Sequence, residues 1–433
     1  MRKTRLALLG TLIITAAAPR AWSGEYDFDV GRFEKKPFEW GGYAELKAES
    51  FRLDPDAAGY LVNFADRTDR GNLQRGTATV ELDGRYRHGA TAFNLRTHTA
   101  VQHDALQNSA RTRLYEGYGA YEPRTGLRFE AGKRALRWGK GYAWNPVGFV
   151  ERPKDPNEPE LAREGYVMAG IEAVRSFPGS LQTVSLSALI VPVNGDINED
   201  FGSPGHVNPA ARLYLLYRDT DIDLMILGRG SRGPRVGADF SRNLLSNLEV
   251  HGEWAYVRDQ PTAVVSASGA LLSERRSFHS YLFGIRYLTA GETTWIAEYY
   301  HNGGGYSGAQ MDAFYSLARD AFDAYRSGGG TALLQPAQAA ATRGYLRANP
   351  MRDYLYLRAS NKEPFDILYF TPSVTAIVNL GDHSWSLTPE LLYTRYRHLE
   401  LRARLTLLHG ASATEFAEKQ NDAKLELRVR YFF

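Results

Sequence analysis

The 433-residue chain contains no cysteine. That excludes disulfides, thiolate chemistry and covalent haem attachment through a cysteine pair. Long apolar runs are also missing. After an early run at Leu6–Ala18, no stretch approaches eighteen apolar residues, so no membrane-crossing helix is expected downstream. Catalytic and metal motifs are scarce too. The ten histidines are scattered, with no His-x-His or His-Glu-x-x-His spacing, and no Gly-x-Ser-x-Gly elbow stands at a strand–helix turn. An enzyme is therefore not expected, and no cofactor is implied. An excess of one charge is lacking as well. The formal net charge is +3, from 52 basic and 49 acidic residues. Arg2, Lys3, Arg5 and Arg20 all lie near the start, and without these four the basic count of 48 is one below the acidic count of 49. Nothing in this balance points to a nucleic-acid partner.

What is present begins with an export signal. Basic residues precede the Leu6–Ala18 run, and Ala21-Trp22-Ser23 offers small residues at cleavage spacing. The expectation is a signal peptide over 1–23, cut before Gly24, since the apolar run is too short to span a bilayer. Residues 24–37 are polar and are expected to form a periplasmic lead-in. From 38 onward the pattern has period two, the signature of strands with one apolar and one polar face. Phe38, Trp40, Ala44, Leu46 and Ala48 alternate with Glu39, Tyr43, Glu45, Lys47 and Glu49. Near the other end, Leu399, Leu401, Ala403 and Leu405 oppose Glu400, Arg402, Arg404 and Thr406. The last strand is the clearest: Leu425, Leu427, Val429, Tyr431 and Phe433 oppose Lys424, Glu426, Arg428 and Arg430. The chain carries 26 Tyr, 20 Phe and 7 Trp, enough for aromatic girdles at two membrane interfaces.

Counting such segments gives about 18 strands, with 16 as the alternative. The loops sort by length. Short ones fall after even strands (87–89, 122–126, 177–180, 218–221, 289–292). Long ones fall after odd strands (52–70, 138–164, 193–209, 259–275, 302–350, 409–422). The fold expected over 38–433 is all-β: a transmembrane, antiparallel, up-and-down β-barrel with short periplasmic turns and long external loops. The final strand resembles the closing strand of bacterial outer-membrane β-barrels. That resemblance implies an integral outer-membrane location, with Tyr431 and Phe433 as part of the signal read by the barrel-assembly machinery. The segment Trp138-Gly-Lys-Gly, followed by Asn145-Pro146, resembles porin-like families that include alginate-export-type barrels.

Three loops carry candidate sites. The loop 138–164 is dense in Gly, Pro and mixed charge, and is expected to fold into the lumen as a constriction. With the strand before it, it contributes Arg134, Arg137, Lys140, Glu151 and Arg152 as pore candidates. The inward faces of the last two strands add Arg402, Arg404, Arg428 and Arg430, a basic wall that would favour anions. In 302–350, Met311, Phe314, Ala318, Ala321, Phe322 and Tyr325 recur at helical spacing between glycine clusters, so a helical lid or plug is expected. Asp196, Asn198 and Asp200 have the spacing of calcium ligands. Phe201 stands where that motif needs glycine, so a solvated loop is the better reading. The functional expectation is a channel for small solutes or an anionic polymer. The alternatives are a plugged barrel that scaffolds an envelope partner, and an outer-membrane hydrolase. The oligomeric state is open.

Overall fold

The computed structural model describes residues 37–66, 71–266 and 268–433. The leader expected over 1–23, and the lead-in up to residue 36, lie outside the described residues. The first nine strands are β1 (Phe38–Leu53), β2 (Asn72–His88), β3 (Thr91–Asp104), β4 (Asn108–Arg124), β5 (Leu127–Arg134), β6 (Tyr166–Ser176), β7 (Leu181–Val193), β8 (His206–Tyr217) and β9 (Thr220–Leu227). The remainder are β10 (Arg235–Leu245), β11 (Leu248–Val265), β12 (Leu271–Leu288), β13 (Thr293–His301), β14 (Asp353–Asn361), β15 (Phe370–Asn379), β16 (Trp385–Tyr393), β17 (Leu399–His409) and β18 (Asn421–Phe432). Each pairs antiparallel with its sequence neighbours. β18 returns to β1, with Tyr431 opposite Ala44 and Arg430 opposite Glu45. The result is a closed 18-strand up-and-down barrel, which removes every free sheet edge.

The period-two pattern is the wall itself. On β18, Leu425, Leu427, Val429 and Tyr431 are exposed on the outer face, while Glu426 and Arg428 between them are buried on the inner one. β1 repeats this, with Phe38, Trp40 and Leu46 outside and Glu45 and Glu49 inside. At the closing seam, the Phe433 amide donates to the Gly42 carbonyl at 3.1 Å, and the Trp40 and Phe433 rings lie 6.0 Å apart. Connections after even strands run from two residues (89–90) to eight (362–369). The two longest, 135–165 and 302–352, both lie at the opposite end.

Two expected loops are corrected. The stretch 259–275 is mostly strand: β11 runs on to Val265 and β12 starts at Leu271. A register shift between Val257 and Gln260, with Asp259 left-handed (φ 53°), interrupts the alternation and hides the continuation. The loop after β1 is also not polar throughout. It holds α1 (Ala58–Asn63), whose Tyr60, Leu61 and Val62 are buried with the nearby Phe64. Two more helices lie in 302–352: α2 (Gly308–Arg326) and α3 (Leu334–Ala340). A reciprocal capping box between Ser307 and Gln310 starts α2.

Candidate functional site

The segment 135–165 leaves the wall after β5 and crosses the lumen. Its first half is held by carboxylates on inward faces of distant strands. Glu253 of β11 accepts from the amides of Lys140 and Gly141, each at 2.6 Å, and of Val147 at 3.3 Å. Glu298 of β13, fully buried, accepts from the amides of Tyr142 and Ala143, the latter at 2.8 Å, and meets His251 Nε2 at 2.9 Å. Carboxylates are the groups best suited to collect several convergent N–H donors. The glycines of the Trp-Gly-Lys-Gly motif make this approach possible. Gly139 sits at φ 93°, and a Cβ there would fall 2.6 Å from Glu253 Oε1. A Cβ on Gly141 would lie 2.3 Å from the Trp144 carbonyl. Any side chain at either position would push the loop off its anchor.

The turn is braced from within. Glu151 accepts from the Trp138 amide and pairs with Arg163 at 2.8 Å. Burial pushes its carboxyl above the usual range, although Arg163 and the Trp138 amide pull the other way. Lys154 donates to the carbonyls of Gly141 and Tyr142, and burial lowers its ammonium pKa. Val147, Phe149 and Val150 are buried against Val191, Met225, Leu227 and Ala255 of the inner wall. Trp144 stacks on Tyr300 with ring centroids 5.1 Å apart.

The far end of the loop reaches the closing strands. Glu158 pairs with Arg404 at 3.0 Å and with Arg428. Burial alone would raise the Glu158 carboxyl, but these two guanidinium groups outweigh it and hold it below the usual range. Arg404 also bonds Glu390 at 2.5 Å, and Arg428 bonds Glu426 at 2.8 Å. Arg430 pairs with Glu45 at 2.6 Å, and Arg402 with Glu400 at 3.3 Å. All four members of the basic wall expected from the sequence are therefore brought together inside the barrel, and each has a carboxylate partner. Two of them anchor the loop.

The remaining pore candidates sit on or beside the same loop. Arg134 pairs with Glu130 and lies over the Tyr118 ring at 5.4 Å. Lys140 meets Asp223 at 3.1 Å. Arg152 pairs with Asp200 and Glu164, and lies over the Tyr166 ring at 4.7 Å. Arg137 lines a cleft beside Trp138 and has no ion-pair partner among the described residues. Sequence reasoning missed Glu253, Glu298 and Glu158. Each is one glutamate among many on an alternating strand or polar loop, and the only local signal was the pair of glycines at 139 and 141.

Two of the three residues at calcium-ligand spacing already have other partners. Asn198 spends its side chain on backbone, accepting from the Val167 amide at 2.9 Å and donating to the carbonyls of Val167 and Pro192. Asp200 is committed to Arg152. Asn198 and Asp200 therefore brace the loop, while Asp196 is exposed.

Above the crossing loop lies the helical segment. Met311, Phe314, Ala318 and Ala321 of α2 are buried, as expected, and pack with Ala58 and Val62 of α1, Val265 at the β11–β12 tip, Phe416 and Trp144. Tyr345 accepts from the Val265 amide at 2.8 Å, and its ring stacks on Tyr306. Glu418 ties three loops together: it accepts from the Ala58 amide at 2.7 Å and the Ala413 amide at 2.9 Å, and pairs with Arg319 of α2. Trp144 Nε1 donates to Asn349 at 3.3 Å, so the tail of the helical segment (the expected lid) and the crossing loop touch. Two of the cavities border that contact. One, of about 510 Å³, runs along β16–β18 and is lined by Lys47, Glu49, Glu158 and Arg404 among others. The other, of about 890 Å³, is lined by the loop, the β9–β10 connection and the lid tail.

No family model matches the chain, and no curated protein matches it. Among solved structures it is similar to Pseudomonas aeruginosa OccK5 (OpdH), with 10% identity and a TM-score of 0.49, covering 91% of this chain and 98% of that one. It is also similar to a triple mutant of the Rhodopseudomonas blastica porin, with 10% identity and a TM-score of 0.44, covering 92% and 100% of the two chains.

Proposed function

We propose that the protein is an integral outer-membrane channel for small polar solutes, with 135–165 as its constriction. The observation that carries this reading is the crossing loop itself. It is pinned to β11, β13, β17 and β18 by carboxylate contacts, yet leaves cavities beside it that carry charged and polar side chains. Barrels of this strand number enclose an aqueous lumen unless something fills it. The exposed Leu, Val, Phe and Tyr of the outer face fit lipid, and the short turns fit the periplasmic end. Tyr431 and Phe433, exposed on the closing strand, are suited to recognition by the barrel-assembly machinery. A polymer threading the whole lumen would have to break the Glu158 and Glu253 contacts, so small solutes fit better than an anionic polymer. In this reading Arg404 and Arg428 position the constriction through Glu158.

Conductance of refolded protein in a planar bilayer tests the proposal. A small, steady open conductance is expected. A fully folded but silent barrel would overturn it and favour the second reading, a plugged scaffold. That second reading draws on the apolar cluster joining the lid to Trp144.

A further inference from the structure

The larger cavity has a charge imbalance that the wall of the closing strands lacks. There the inward arginines are neutralised, as Arg404, Arg428 and Arg430 are. Here they are not. Arg232 and Arg235 line the cavity from the β9–β10 connection and the start of β10, and Arg343 and Arg347 line it from the lid tail. Among the described residues none of the four has a carboxylate within ion-pair distance. The acidic residues lining the same space are Glu151, Glu199 and Asp200, of which Glu151 is taken by Arg163 and Asp200 by Arg152.

The arginines of the barrel side are held ready. The Arg232 guanidinium lies 3.8 Å from the centroid of the Phe201 ring and donates to the carbonyls of Phe201 and Phe149. Arg235 donates to Gln260 at 2.8 Å, while its Nε is buried with no hydrogen-bond partner. A guanidinium fixed by neutral partners, with a donor left over, keeps its full charge for a planar or tetrahedral oxyanion. Ser231, Thr262 and Asn302 add neutral polar groups around the same space. The volume of about 890 Å³ exceeds what a single inorganic ion fills and suits a small organic molecule.

We infer that this cavity is a binding site for a small multivalent oxyanion, a polycarboxylate or a phosphorylated solute, gripped between Arg232–Arg235 on the barrel and Arg343–Arg347 on the lid. The inference deepens the channel reading by naming the class of solute held above the constriction. Binding itself does not require conduction, so the two can fail separately.

The test is calorimetric titration of citrate, and then pyrophosphate, into refolded full-length protein in detergent at low salt, with sucrose as the neutral control. Expected are saturable citrate or pyrophosphate binding, no sucrose binding, and at least tenfold weaker affinity in both R232Q/R235Q and R343Q/R347Q. Arg343 and Arg347 are exposed, so the second double variant folds even if the first does not; a heat-modifiable gel shift checks this. Absence of binding by both anions in the folded wild type overturns the site, as does unweakened binding in a folded double variant. A silent barrel that binds citrate would overturn conduction and keep this site. A conducting barrel that binds neither anion would do the reverse.

Discussion

Glu158 lies between Arg404 and Arg428, and on the proposed reading the chemistry of this one carboxylate sets how the crossing loop responds to acid. Its folded pKa is lowered, so its stabilising contribution is present above the ordinary glutamate value of about 4.3 and is lost as pH falls through the lower folded value. The loop end should therefore detach only in acid. Expected is a rise in wild-type conductance, and a drop in thermal midpoint, as pH is lowered from about 7 to about 3. E158Q should show the altered conductance already at neutral pH. Identical titrations of wild type and E158Q would mean that another group responds. Glu253 plays the corresponding part at the near end. E253A strands three amide donors, those of Gly141 and Val147 buried and that of Lys140 partly buried. Each unsatisfied buried donor costs about 1–3 kcal/mol. Thermal unfolding should show a loss within that range or above it, and single-channel records should turn from steady to flickering.

At the scale of elements, the lid and the crossing loop are separate pieces that touch at Trp144 and Asn349. Replacing 308–345 by a short glycine linker should raise conductance several-fold if the lid limits access, and leave it unchanged if the crossing loop alone does. The same division explains what the sequence could say. Strands such as β17 and β18 were legible because their outer residues are apolar at every second position, and a strand's environment is written in that period. The apolar stripe of α2 was legible for the same reason, at helical period. Its partner surface was not, because Met311 and Phe314 look alike whether they meet a rim or other loops. The short α1 escaped because six residues give too little period to read. The end of β11 escaped because a bulge shifted its phase. The destination of 135–165 could not be read at all: its anchors, Glu253 and Glu298, lie more than a hundred residues away and have nothing local to mark them.

For the whole molecule the two faces of the wall carry opposite demands. A charge on the outer face meets lipid, whereas the lumen accepts charge freely. L427R, near the middle of β18 on the outer face, should cost about 2–4 kcal/mol if it lies at the bilayer midplane. Its folded fraction in lipid vesicles, read by gel mobility against urea, should fall accordingly. An undiminished fraction would argue against lipid contact there.

The pinning of 135–165 also dictates a timetable. Adjacent hairpins of the wall can form from residues close in the chain, and such local pairings come first. Glu253, Glu298, Arg404 and Arg428 belong to strands made long after the loop they hold. While only the first half of the barrel exists the loop therefore has part of its seat, the apolar contacts with β7 and β9 and the Lys140–Asp223 pair, and its last tie awaits β18, the strand that also shuts the seam with β1. Closure of the cylinder and the final fastening of the crossing loop are thus one late event, and an assembly intermediate arrested before β18 would be an open trough with the far end of that loop untied.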